Sequence, residues 1–384
     1  MNKRLDKDKI AVIHFQPVEL YPPGMNLVNY LGKYSLSLIL LLSNSLNQKL
    51  NLKPFSSDAI NIEIVRPSVI PENFFLRYFN YLKFYWVSLF YLFYYRPAVV
   101  IYFESISSFP ALVYKKFFTN AKIMVHYHEY TNPHEYKNGM RLVRFLHKKE
   151  IGIYRQFEWI SHTNMERLRR FRNDFKLHDM PDSLFHSMPN YPSYSWCKKN
   201  KNLDGEKLKL VYVGSLGLDT SYLREVIAWV LQNQYFISLD IYSFNIKKDA
   251  LDLIQNLHCG SIQYKGYVDY FEMPNVLINY HTGLVIYKPL TENYLYNAPN
   301  KIFEYLACGL NVIIPDSMNY ANQYVNQEFN QSIISVDFEN LQTFDFNILL
   351  KNKASSDLPT QFIAEFVYAE ILACFKNVQQ EKHD

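Results

Sequence analysis

Short runs of consecutive apolar residues, each closed by a polar or proline-bearing break, alternate along the chain with longer segments of mixed character. Lys9 to Phe15 has the unbroken apolar character of a strand buried on both faces. The loop Gln16 to Met25, with Pro22-Pro23-Gly24, leads into a mostly apolar segment that reads as a helix from about Asn26 to Leu46. Ile60 to Val65 reads as a second strand. Phe74 to Tyr95 is an aromatic tract containing Arg77 and Lys83; Pro97 closes it, and Ala98 to Phe103 reads as another buried strand. Lys122 to Tyr127 repeats that pattern. Gly139 to Ile151 reads as a basic helix and Glu158 to Ser161 as a strand. Thr163 is the expected cap of a second basic helix through Phe175.

The second half starts the pattern afresh. Pro189-Asn190-Tyr191-Pro192 and the polar segment Ser193 to Glu206, with Cys197 and Gly205, read as a domain end and a linker. Leu208 to Val213 is the next strand expected, followed by Gly214-Ser215-Leu216-Gly217 and a helix through Leu231 capped by Thr220 or Ser221. Ile237 to Tyr242, Ile262 to Tyr264, Thr282 to Tyr287 and Ser332 to Val336 read as strands. Lys247 to Leu257, Phe338 to Leu350 and Phe362 to Phe375 read as helices. The most informative stretch is Asn297 to Asp316. Pro299 suits a first helical position, Asn297 is placed to cap, and Gly309 suits a left-handed stop, predicting a helix from about Pro299 to Cys308. Its apolar stripe is Ile302, Phe303, Leu306 and Ala307, with Lys301, Glu304 and Tyr305 on other faces. Leu310 to Pro315 then reads as a short buried strand.

Strands alternating with helices in both halves predict an α/β chain of two doubly wound, Rossmann-like domains facing across a cleft, at 1–192 and 207–355. A C-terminal helix lies within 356–384. At 384 residues the chain is long enough for two sizeable cores. The net charge of +4 hides an asymmetry: residues 1–190 hold 25 Lys/Arg against 15 Asp/Glu, and residues 191–384 hold 15 against 21. A basic first half suits an anionic membrane or a phosphate-bearing acceptor. Arg141, Arg144, Lys148 and Lys149 on one basic helix, and Arg167, Arg169, Arg170 and Arg172 on the other, read either as solvated faces or as a surface for anionic lipid. The aromatic tract reads as a core or domain-face helix, or as an interfacial segment; its uncharged run Phe84 to Tyr95 is too short to span a bilayer. Four scattered cysteines (Cys197, Cys259, Cys308, Cys374) indicate neither a disulfide framework nor a zinc site, and the N-terminal apolar run is too short for a signal peptide. A cytoplasmic protein with peripheral membrane contact is expected, and no nucleic-acid motif accompanies the basic residues.

Candidate chemistry gathers where strands end, because ligands of doubly wound domains approach the carboxyl ends of the strands. Glu104 and Ser105 follow one strand; His126, His128 and Glu129 follow another, with His126 and His128 on one face by alternation. The glycines around Ser215 allow backbone N–H groups to approach phosphate. Free N–H groups at the helix starting near Pro299 attract phosphate as well. Glu304, one turn in, can accept hydrogen bonds from a sugar diol. The one Asp-x-Asp, Asp6-Lys7-Asp8, precedes the first strand among basic residues, so no metal is expected.

The run Asn-x-Pro-x-Lys-x-x-Glu-Tyr-Leu-Ala-x-Gly-x-x-Val-Ile, from Asn297 onward, resembles the donor-site signature of GT-B glycosyltransferases. It is closest to the large retaining family (family 4 type) that builds bacterial polysaccharides. The resemblance implies a UDP- or GDP-linked sugar donor, no cofactor and no metal. It also implies a glycan or lipid-linked acceptor, and a role in surface glycan synthesis at the inner face of the membrane. On that likeness Glu304 holds the ribose, with Asn297, Asn300, Lys301, Gly214 and Ser215 around the donor. His128, with Glu129 beside it, serves the reacting sugar, and Gly24 lies in the loop near it. Gly266-Tyr-Val matches the base-contacting region, and the last helix packs back on the first domain. Two departures stand out. The Arg/Lys pair that relatives carry after the first strand of the second domain is missing, leaving Lys288 as the candidate cation. Asn297 stands where many relatives have a second glutamate. The rival readings are a catalytically silent GT-B-like module that binds membrane or a partner, and a nucleotide-sugar epimerase, which needs acid/base pairs that the sequence does not display.

Overall fold

The computed structural model describes residues 5–34, 36–47, 52–71, 73–199, 207–325, 332–351 and 362–380. The chain forms two units, 1–189 with 364–384, and 190–363.

The first unit is built on strands β1 (Asp6–His14), β2 (Leu38–Ser43), β3 (Ile62–Val65), β4 (Pro97–Phe103), β5 (Lys122–Tyr127), β6 (Trp159–His162) and β7 (Phe185–Ser187). They pair in the order β3-β2-β1-β4-β5-β6-β7, and all are parallel. Its helices are α1 (Pro22–Gly32), α2 (Phe74–Tyr95), α3 (Ser108–Phe117), α4 (Pro133–Asn138), α5 (Arg141–Ile151) and α6 (Met165–Asp174). The segment expected as one helix over Asn26–Leu46 divides into α1 and β2. Leu38 to Leu42 is apolar at every position, a pattern that fits a doubly covered strand as well as a buried helix. Asn164, not Thr163, caps α6, its side chain accepting from the Arg167 N–H group.

Register decides which side chains meet at the carboxyl edge of this sheet. His14 lies opposite Ser43 and Phe103, Phe103 opposite His126, and His126 opposite Ser161. The strand order turns between β1 and β4, so the loops leaving those two strands flank the switch point where doubly wound sheets bind ligands.

Helix α2 runs unbroken through the aromatic tract. Asn73 caps its start and Arg96, at φ 52°, ends it. Asn80, Phe84, Ser88 and Leu92 face inward, whereas Phe75, Phe79, Trp86, Phe90 and Tyr94 face out. It is therefore a core helix on one face only.

The second unit holds β8 (Leu208–Val213), β9 (Ile237–Tyr242), β10 (Ile262–Gly266), β11 (Thr282–Leu284), β12 (Asn311–Pro315) and β13 (Ile333–Val336). These form one sheet in the order β10-β9-β8-β11-β12-β13, again parallel throughout. The helices are α7 (Leu223–Gln232), α8 (Lys248–Gln255), α9 (Met273–Leu277), α10 (Glu292–Leu295), α11 (Asn300–Ala307) and α12 (Asn347–Lys351). Alternation along β8 covers both faces: Leu208, Leu210 and Tyr212 join one apolar layer, Val211 and Val213 the other. The helix expected from Phe338 is a 3-10 turn at Leu341–Thr343 followed by the short α12. No Thr220 or Ser221 cap forms on α7, because both hydroxyls bond the Gly217 carbonyl.

Of the expected linker, 200–206 lies outside the described residues. Its first part is not a free tether, since Trp196 is buried in the core of the second unit. Tyr191 likewise packs on Phe303 and Phe362. The last helix, α13 (Ala364–Gln380), belongs to the first unit, where Tyr368 donates from its hydroxyl to the Pro23 carbonyl at 2.9 Å. Residues 352–361 and 381–384 lie outside the description.

Candidate functional site

In the second unit the site is organised by how α11 is held. Ile302, Phe303 and Leu306 are buried, each stabilising by roughly 1.5–3 kcal/mol. The helix stops in a Schellman arrangement: Gly309 lies at φ 76°, its N–H donates to Leu306 and the Leu310 N–H donates to Tyr305. At the other end Pro299 is the N-cap and no side chain caps the first turn. Asn297 does not serve there; its amide donates to the Tyr287 hydroxyl at 3.3 Å. The first-turn N–H groups of Asn300 and Lys301 are thus left for an anion.

Glu304 and Tyr305 do not lie on solvated faces. Glu304 is 2% exposed, and its Oε2 is ion-paired to Lys301 one turn earlier. Tyr305 is fully buried; its hydroxyl accepts from the Val213 N–H at 3.0 Å and donates to the Leu284 carbonyl. The ring lies directly over Gly283, where any Cβ would stand 2.2 Å from it. This contact sets the depth of α11 against β8 and β11, and hence the position of Glu304.

The loop after β8 is more occupied than its glycines suggest. The Gly214 N–H donates to Tyr242 and that of Leu216 to Asn245, so neither is offered to a phosphate. Gly214 packs closely instead, since a Cβ there would meet the Tyr212 hydroxyl at 2.9 Å. Ser215 stays exposed, its hydroxyl accepting from Asn245 at 3.3 Å. Lys288 lies beside the start of α7, 3.8 Å from Glu225 and over the Tyr222 ring. A carboxylate already shares its charge.

In the first unit the carboxyl edge gathers a titratable cluster. His128, just past β5, stacks on Phe103 and on Tyr21, both at 4.9 Å, and stands 5.0 Å from His126 and 5.5 Å from His14. Its Nε2 is buried without a partner. Burial, with His126, His14 and Arg167 adding to it, holds the imidazole well below its usual range, so it is neutral. His14 and His126 are pushed down by burial to about 4 and about 3. Glu104, at φ 60°, accepts from the His128 N–H at 2.6 Å and the Glu129 N–H at 3.3 Å. Burial first, then the Glu129 carboxylate, lifts its carboxyl to about 8 against the pull of those two donors. Glu129 itself is exposed. The structure thus brings His128 together with His14, Tyr21 and Glu104. Alternation along β5 reveals the His126–His128 pair, but only the register across β1, β4 and β5 reveals His14 and Glu104, and only the turn after β1 brings in Tyr21.

Gly24 is not in a loop. It sits in the first turn of α1, its N–H donating to Tyr21, and packs so closely that a Cβ would meet Val18 at 3.1 Å. Arg141, Arg144, Lys148 and Lys149 are exposed on α5, but His147 is buried beside Glu150 and Ser105. The basic residues of α6 are largely committed: Arg167 bonds the His128 carbonyl, Arg169 and Arg170 pair with Glu166, and Arg172 pairs with Asp182.

No family model and no curated protein sequence matches the chain. Solved structures do. It is similar to sucrose-phosphate synthase from Thermosynechococcus elongatus (13% identity, 99% of this chain and 100% of that one, TM-score 0.69). It is also similar to HepE of Anabaena in complex with UDP and glucose (11% identity, 96% and 99%, TM-score 0.62). A third likeness is to a putative UDP-N-acetylglucosamine 2-epimerase from Listeria monocytogenes (12% identity, 98% and 98%, TM-score 0.61). The fold is therefore GT-B, over essentially the whole chain.

Proposed function

We propose that this chain is a glycosyltransferase that moves a sugar from a UDP- or GDP-linked donor to a hydroxyl of a glycan or lipid-linked acceptor. The observation that carries the reading is the uncapped start of α11 with Glu304 one turn in, in a fold it shares with a protein that holds UDP and glucose. In this reading the Asn300 and Lys301 N–H groups receive the diphosphate. Glu304, with Oε2 held by Lys301, turns Oε1 to the ribose diol.

Transfer breaks the bond from the anomeric carbon to the diphosphate oxygen, and the electron pair leaves with the diphosphate. The helix end stabilises that charge. The acceptor oxygen bonds to the anomeric carbon and gives up its proton. In this proposal Glu104, whose carboxyl burial raises to about 8, takes that proton, and neutral His128 holds a sugar hydroxyl through Nε2. Retention of configuration, metal independence and work at the inner face of the cell membrane in surface glycan synthesis belong to the same proposal.

Calorimetry with UDP- and GDP-sugars tests it. Glu304→Ala removes a charge-assisted hydrogen bond worth about 1.5–3 kcal/mol and is expected to weaken binding roughly 10- to 150-fold. Absence of nucleotide binding, or binding indifferent to that change, favours the silent module, to which the missing Arg/Lys pair and the diverted Asn297 point. The Glu104–His128–His14 cluster favours one other reading, an epimerase, because it supplies the titratable groups that the sequence did not display. Solvent deuterium entering the donor sugar without any acceptor identifies that activity.

A further inference from the structure

We infer that the outer face of α2, α3 and α5 is a docking surface for an anionic lipid bilayer. The outward arc of α2 carries Phe75, Phe79, Leu82, Trp86, Phe90 and Tyr94, all exposed. Beside it an open apolar groove of about 780 Å³ runs between α2, α3 and α5, its walls including Tyr81, Phe93, Phe109, Phe117 and Phe145. A monomeric protein in water does not ordinarily leave so large an aromatic face uncovered.

Charge says what covers it. Phe145 lies within about one helical turn of Arg141, Arg144, Lys148 and Lys149, and the Lys149 ammonium sits 5.5 Å from its ring. Lys83 on α2 and Lys116 on α3 are exposed as well. Across these three helices the sole carboxylate is Glu150, which is buried and bonded by Tyr102 and His147. A second copy meeting this face by two-fold symmetry would set cations against cations. A surface of lipid phosphates meets them all with opposite charge, while the aromatic rings enter the boundary between headgroups and acyl chains. Among the described residues no helix is long and apolar enough to cross a membrane, so α2 lies in the interface plane.

The docking does not depend on transfer chemistry, and its test is separate from nucleotide binding. Trp86 is 71% exposed, whereas Trp159, Trp196 and Trp229 are buried, so a change in tryptophan emission reports this face. The full chain is mixed with vesicles of phosphatidylcholine alone, or of phosphatidylcholine with about a third phosphatidylglycerol. Expected are co-sedimentation with the anionic vesicles only, weakened by salt, and a blue shift of Trp86 quenched by acyl-brominated lipid. Arg144→Glu with Lys148→Glu is expected to cut partitioning at least about 25-fold, at about fivefold per basic residue removed. Phe79→Ser with Phe90→Ser is expected to abolish the shift in a chain that keeps its circular dichroism. Equal binding to neutral vesicles, no binding to either, or a lipid-free dimer in which Trp86 is shielded from acrylamide would each overturn the inference.

Discussion

Replacing Gly283 by alanine tests the contact that sets the depth of α11. A Cβ at that position would stand 2.2, 2.3 and 2.6 Å from three carbons of the Tyr305 ring, where about 3.5 Å is the closest comfortable approach. The ring must therefore retreat by more than 1 Å (roughly 1.3 Å at the nearest atom). It has nowhere to go, being fully buried between β8 and β11 with its hydroxyl bonded to the Val213 N–H at 3.0 Å. Overpacking costs about 1–3 kcal/mol, and a buried N–H left without its acceptor about 1–3 kcal/mol more. Gly283→Ala is thus expected to destabilise the second unit by about 2–6 kcal/mol, read from urea unfolding. In a Tyr305→Ala background the new methyl enters vacated space, so the same change becomes nearly neutral or stabilising. A cost below about 1 kcal/mol, or equal costs in the two backgrounds, refutes the reasoning.

Two further outcomes concern the first unit. The Glu104 carboxyl is raised from 4.5 to about 8 in the folded chain, so its stabilising contribution is full below pH 4.5 and is lost as pH rises through 8. Between pH 5 and pH 9 the native chain is expected to lose about 4 kcal/mol more stability than Glu104→Gln; parallel urea midpoints for the two chains would show that the carboxyl is not buried as described. His128→Phe keeps an aromatic ring against Phe103 and Tyr21 and removes both ring nitrogens, the buried Nε2 among them. Stability within about 1 kcal/mol of native, with transfer lowered by about 100-fold or more, is expected, and unchanged turnover would exclude the nitrogen from the chemistry.

Local rules carried the sequence far in places where one segment decides its own conformation. Gly309 ends α11 as expected because a left-handed stop is a backbone requirement, and Pro299, expected as the first helical residue, stands one position earlier as the N-cap. The alternation of apolar runs and breaks likewise determined two parallel α/β sheets, and alternation along β5 put His126 and His128 on one face. Local pattern failed where a uniformly apolar run fits either a buried helix or a buried strand, as at Leu38 to Leu42.

What neighbours in space decide was illegible. Asn297 suits a cap but meets Tyr287 instead, and the burial of Glu304 beside Lys301 is not visible in its place off the apolar stripe. Glu104 and His14 come from separate segments, and only the parallel register of β1, β4 and β5 brings them to His128, while Tyr21 reaches it from the turn after β1. The aromatic tract announced its helix but not which side would stay uncovered, because burial is a property of the elements packed against a helix rather than of the helix itself. Periodicity is written into a chain one turn at a time, whereas proximity and solvent exclusion exist only once distant segments have come together.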